Sequence, residues 1–114
     1  MRNHKITIKK IFPNGSLDLS DKGKTEVDPG DTVTWKIGRR SGVKEITGII
    51  NNSEINIFSE GPTRVGNSKN WEGTVDPNIP RGSEEEYEIA YTKTGSSANQ
   101  MFDPKISVRL SFDS

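Results

Sequence analysis

Apolar residues recur at every second position over short stretches of this chain, and turn residues separate the stretches. Ile6 and Ile8 open the first stretch, which runs to Phe12 and stops at Pro13-Asn14-Gly15, a turn signal. Leu17 and Leu19 make a short second stretch, closed by Ser20-Asp21-Lys22-Gly23. Residues 25–28 lead into Pro29-Gly30, after which Val33, Trp35 and Ile37 point one way and Thr32, Thr34 and Lys36 the other. Residues 38–42 read as a basic turn, and 43–50 as an apolar run without clean alternation. Asn51-Asn52-Ser53 turns the chain toward Ile55 and Ile57. Residues 61–70 read as a long polar loop before Trp71, Gly73 and Val75, and 76–82 as a connection punctuated by proline. Tyr87, Ile89 and Tyr91 alternate, 94–100 is a second polar loop, and Ile106, Val108, Leu110 and Phe112 predict a final strand. No stretch keeps the i, i+3, i+4, i+7 stripe of a helix. Seven or eight short strands at regular spacing predict an all-β fold: a single antiparallel Greek-key β-sandwich, one domain over residues 1–114.

Residue choice agrees with the pattern. Twelve Ile, six Val and nine Thr stand against three Leu and two Ala, the preference of a pleated surface rather than a helix. Only 29% of the chain is hydrophobic, so the core is expected to be thin. Sixteen basic and sixteen acidic side chains sum to a formal charge of zero. A protein that binds by neutralising phosphates needs a basic excess or a basic face, so no nucleic-acid partner is expected. With no cysteine, disulfides, thiolate metal sites and Cys nucleophiles are excluded. The lone His4 leaves no His–His metal pair and sits where chains usually fray. No apolar run reaches the roughly 20 residues of a membrane helix, so no membrane partner is expected. The opening stretch alternates like a strand and lacks the apolar centre of a secretion signal. If Met1 is the natural start, the expectation is a cytoplasmic protein; otherwise the compartment is unknown.

Two segments carry a family likeness. Val27-Asp28-Pro29-Gly30-Asp31-Thr32-Val33-Thr34-Trp35 resembles the V-x-P-G-D-x-V-x-W/F opening strand of cupredoxins, the plastocyanin-like small copper proteins. Phe102-Asp103-Pro104-Lys105-Ile106-Ser107-Val108 resembles the final strand of their copper-free members, and Tyr87-x-Ile89-x-Tyr91 falls where the penultimate strand would lie. In order and spacing the resemblance covers roughly residues 24 to 110. Within the opening motif, Pro29 pre-sets a turn, Gly30 tolerates positive φ and Asp31 can bond local backbone. A blue-copper site needs two His and a Cys, usually with a weak axial Met. The resemblance places the first His near Val43 or Lys44, the Cys at Lys93 and the second His in 94–100, where none of these ligands occurs. Met101 stands where the axial ligand would, and a thioether alone binds nothing. The resemblance therefore implies the scaffold without the copper chemistry, and no cofactor or metal is expected.

The remaining chemistry is sparse. Trp71 follows the polar run from Arg64 to Asn70 and has two open readings, a core ring capping one end or an anchor for a partner or sugar. Trp35, between Val33 and Ile37, reads as core. Arg39 and Arg40, with Lys36 and Lys44 nearby, read as a solvated turn or a contact for an acidic group. Glu84-Glu85-Glu86 with Asp76 lacks the spacing of a calcium loop and reads as a solvated charge run. No Ser–His pair or separable carboxylate pair can be assigned, so no catalytic residue is named and no enzyme is expected. The expected function is a non-catalytic interaction module that uses loops 38–42, 61–70 and 94–100 at one end, or an edge strand. Its candidate contact residues are Trp71, Arg39, Arg40, Arg64 and Asn70. The expected partner is another protein or a second copy. The alternatives are a self-assembling structural subunit or a carbohydrate-binding module built on Trp71.

Overall fold

The computed structural model describes residues 2–95 and 99–110, and among them every regular element is a strand. The strands are β1 (Asn3–Ile11), β2 (Leu17–Leu19), β3 (Lys24–Val27), β4 (Thr32–Ile37), β5 (Val43–Asn51), β6 (Phe58–Arg64), β7 (Trp71–Val75), β8 (Glu84–Lys93), β9 (Asn99–Phe102) and β10 (Lys105–Val108). They form two sheets, ordered β2-β1-β4-β7-β6 and β3-β10-β8-β5, with β9 beside the far half of β8. The fold is an all-β sandwich.

Both sheets are mixed rather than wholly antiparallel. β1 runs parallel to β4, with Ile6 opposite Trp35 and Ile8 opposite Ile37, and β3 runs parallel to β10. The reason lies in the turn at 20–23: the chain leaves the first sheet after β2 and joins the second as β3, beside the last strand. Asp21 fixes this crossing by accepting the Gly23 N–H at 2.8 Å and the Thr25 hydroxyl.

Inward rows from both sheets meet in one core. Val33 and Trp35 of β4 face Tyr87, Ile89 and Tyr91 of β8, with Ile6, Ile8, Ile46, Ile57 and Ile106 around them. Trp35 stacks edge-on to Tyr87, centroids 5.6 Å apart, and tilted to Phe58 at 5.9 Å. Its indole N–H donates to the Tyr87 hydroxyl at 3.1 Å, so the core's largest ring buries its polar atom satisfied. Burial pushes the Tyr87 hydroxyl's pKa upward, and the Trp35 bond offsets only part of this.

Four expectations are corrected. The polar stretch 61–70 is a loop only after Arg64, because β6 runs through Gly61-Pro62. β6 is an edge strand with two register shifts against β7, so its exposed polar residues show no alternation. The stretch 94–100 likewise ends in β9. The final strand stops at Val108, where Gly82 and Ser83 bond its backbone; Leu110 is exposed, and Phe112 lies outside the described residues. His4 does not fray: it pairs with Val33 in the β1–β4 ladder and lies against Asp31.

Candidate functional site

Strand directions decide which loops meet. β1, β4 and β6 end, and β2 and β7 begin, at one end of the first sheet. In the second sheet β8 ends there while β5 and β9 begin. The turns at 12–16, 38–42 and 65–70 therefore share an end with Thr94 and Gly95. Thr94 N–H donates to Gly42 carbonyl at 2.9 Å, and the Tyr91 hydroxyl donates to Gly15 carbonyl. At the exit of β4 the chain passes so close to β1 that a Cβ on Gly38 would lie 2.5 Å from the Ile8 carbonyl oxygen. Only glycine fits there.

The charge at this loop end is one-sided. Segments 9–18, 36–45, 64–71 and 92–100 hold nine basic residues and two acids, Asp18 and Glu45. At the opposite end, segments 2–4, 24–31, 51–57, 75–86 and 105–110 hold eight acids and five bases, Arg2, Lys24, Arg81, Lys105 and Arg109. The zero total conceals two poles of opposite sign. Summing charge along the chain cannot reveal them, because the basic residues come from four separate segments that only the topology gathers.

The candidate contact residues all lie at the basic end, in different settings. Arg39 and Arg40 are exposed on the β4–β5 turn, with Arg40 at φ 60°. Among the described residues the side chains of Arg39, Arg40, Lys44, Lys69 and Lys93 make no hydrogen bond or ion pair. Arg64 instead bridges the sheets: its Nη2 lies 3.3 Å from Glu45 Oε2 and 3.3 Å from the Ile46 carbonyl. Asn70 closes the β6–β7 turn, its carbonyl accepting the Val65 N–H at 2.9 Å. Trp71 stands opposite Trp35 on the inward row and packs against the core. Its indole N–H is buried with no partner among the described residues.

At the acidic end, much of the charge is structural. Asp31 Oδ1 accepts the Arg2 N–H at 3.0 Å, and Oδ2 lies 2.9 Å from both the Asp28 N–H and His4 Nε2. Burial alone would raise its pKa, but these bonds together hold the carboxyl below its usual value. Asp28 pairs with Arg81 at 3.1 Å. Glu85 is not part of a solvated run. It is 2% exposed, points inward in phase with Tyr87 and Ile89, and accepts the Ile57 N–H at 2.8 Å. Burial raises its pKa, with the Ile57 bond a smaller opposing effect. The signal was present in the period-2 phase of β8. Only Glu84 and Glu86 remain outside, near Lys105 at 3.8 and 3.7 Å.

Among the described residues no three His, Cys, Asp or Glu side chains converge as a metal site, and no helix is long and apolar enough to cross a membrane. No known family model matches the chain, and no curated protein does.

Proposed function

We propose that this chain is a non-catalytic recognition module, a copper-free sandwich of the cupredoxin-like, Greek-key kind whose basic loop end engages an acidic protein surface. The carrying observation is the gathering of nine basic residues from four segments at that end, several with side chains that serve no bond within the described fold. Arginines at a turn tip meet carboxylates through fixed donor forks and lose little by leaving water.

The scaffold reading is supported by where the resembling segments fall. The Pro-Gly-Asp motif opens β4 at the centre of one sheet, Tyr87-x-Ile89-x-Tyr91 lies on β8 of the facing sheet, and the final segment forms β9 and β10 beside β8. Val43 and Lys93, where the resemblance would place a His and the Cys of a copper site, stand opposite one another in register at the loop end. Here that position pairs an aliphatic side chain with an ammonium group. The glycan alternative has less support, because the Trp71 ring is partly buried and packs against the core.

Backbone amide NMR during a titration with poly-L-glutamate tests the proposal. Shifts confined to 12–16, 38–42 and 65–70, abolished in Arg39→Gln/Arg40→Gln, are expected. Shifts spread evenly over both ends, or none at low salt, would overturn it.

A further inference from the structure

We propose that the acidic surface recognised by the loop end is the opposite end of a second copy, so that the protein associates with itself head to tail. The inference rests on reading the loop end as a recognition surface, and it names the partner. The two ends match in charge, net basic against net acidic. Beyond the carboxylates committed inside the fold, Glu26, Glu54, Glu84 and Glu86 are exposed at or near the acidic end, with Lys105 3.8 and 3.7 Å from Glu84 and Glu86. Each end also offers exposed apolar residues among its charges, Phe12 and Val65 at the basic end and Ile55 and Leu110 at the acidic end. Lys10 already lies over the Phe12 ring, 5.1 Å from its centroid. Apolar contacts at the centre with charges around them are the ordinary anatomy of a protein interface.

Charge also selects the symmetry. A two-fold dimer joined end to end would set nine bases against nine bases or eight acids against eight acids. An end-to-end contact that aligns opposite poles is therefore heterologous. Such contacts leave one free end on each side and propagate into open chains, or into a ring if the rotation closes.

Sedimentation velocity on the wild type and two neutralised variants, Arg39→Gln/Arg40→Gln and Glu54→Gln/Glu84→Gln, tests this. At low salt the wild type is expected to sediment as a concentration-dependent series above the 12.6 kDa monomer. At about 1 M salt, where the screening length falls to about 3 Å, it should return to monomer. Each variant, its fold checked by circular dichroism, should lose association on the order of tenfold, as close charge pairs across an interface permit. An equimolar mixture should recover a dimer and stop there, because each variant keeps one intact end. A dimer of fixed size, salt-sensitive or not, would overturn the proposal. So would a monomer at every concentration, including one that retards duplex DNA. If that monomer still responds to poly-L-glutamate, self-association falls while the recognition surface stands. If it does not respond, both fall.

Discussion

The two ends of the sandwich use charge differently. At the acidic end, Asp31, Asp28 and Glu85 are built into the fold as acceptors for backbone N–H groups or for Arg81. At the basic end, Arg64 alone crosses between the sheets, while Arg39 and Arg40 project from a turn whose shape depends on Gly38, Ser41 and Gly42. Charge at one end holds strands together; charge at the other is surplus to folding. A surplus that topology gathers from four segments is the better candidate for work outside the chain.

Removing Asp31 should give the largest effect on this contrast. Asp31→Ala strands the N–H groups of Arg2 and Asp28 and frees β1 from the start of β4, at a cost of about 3 kcal/mol in denaturant unfolding. Hydrogen exchange should rise first in Asn3 to Lys5. The same carboxyl sets an acid limit. Because its folded pKa is depressed, its contribution is complete above the ordinary value of about 4 and is lost as pH falls through the lower folded value. Asp31→Asn should remove that part of the acid transition.

Glu85 has the opposite sign. Its pKa is raised in the fold, so its contribution is complete below the ordinary value of about 4.3 and declines as pH rises through the raised one. Glu85→Gln keeps an oxygen for the Ile57 N–H and cannot ionise. Its unfolding free energy should therefore match or exceed the wild type at pH 7, and its slope between the two values should vanish. A large loss at pH 7 would mean that the charge itself stabilises the core.

Smaller effects belong to the basic end. Tyr91→Phe loses the bond to the Gly15 carbonyl and should cost about 1 kcal/mol, with faster exchange confined to 12–16. Arg39→Gln/Arg40→Gln should leave the melting midpoint where it is while removing the response to poly-L-glutamate. If it lowered the midpoint as far as Asp31→Ala, the contrast between the ends would fail.

Strands with one buried and one wet face were legible in the sequence, because alternation records which side meets the core. Val33, Trp35 and Ile37 announced β4, and Tyr87, Ile89 and Tyr91 announced β8. The β6 edge, bent by register shifts around Gly61-Pro62, hid because its pairing owes little to side-chain alternation. Asp31 was legible as a turn residue through its bond to Asp28. Its hold on Arg2 and His4 depends on a parallel pairing some thirty residues away, which local pattern does not encode. The candidate contacts Arg39 and Arg64 were visible as residues, but their shared end was not, since strand direction alone determines it.

The parallel pairings carry one more consequence, in the order of synthesis. β1 lies between β2 and β4, and β10 lies between β3 and β8, so the earliest and latest described strands are both interior to their sheets. A ribosome makes β3 some eighty residues before the strand that seats it. Until Val108 emerges, β3 has no neighbour and the near half of β8 offers a bare edge to any extended peptide at hand. This sandwich closes only after β10 has been made, and the interval before closure is when a chaperone would matter most to it.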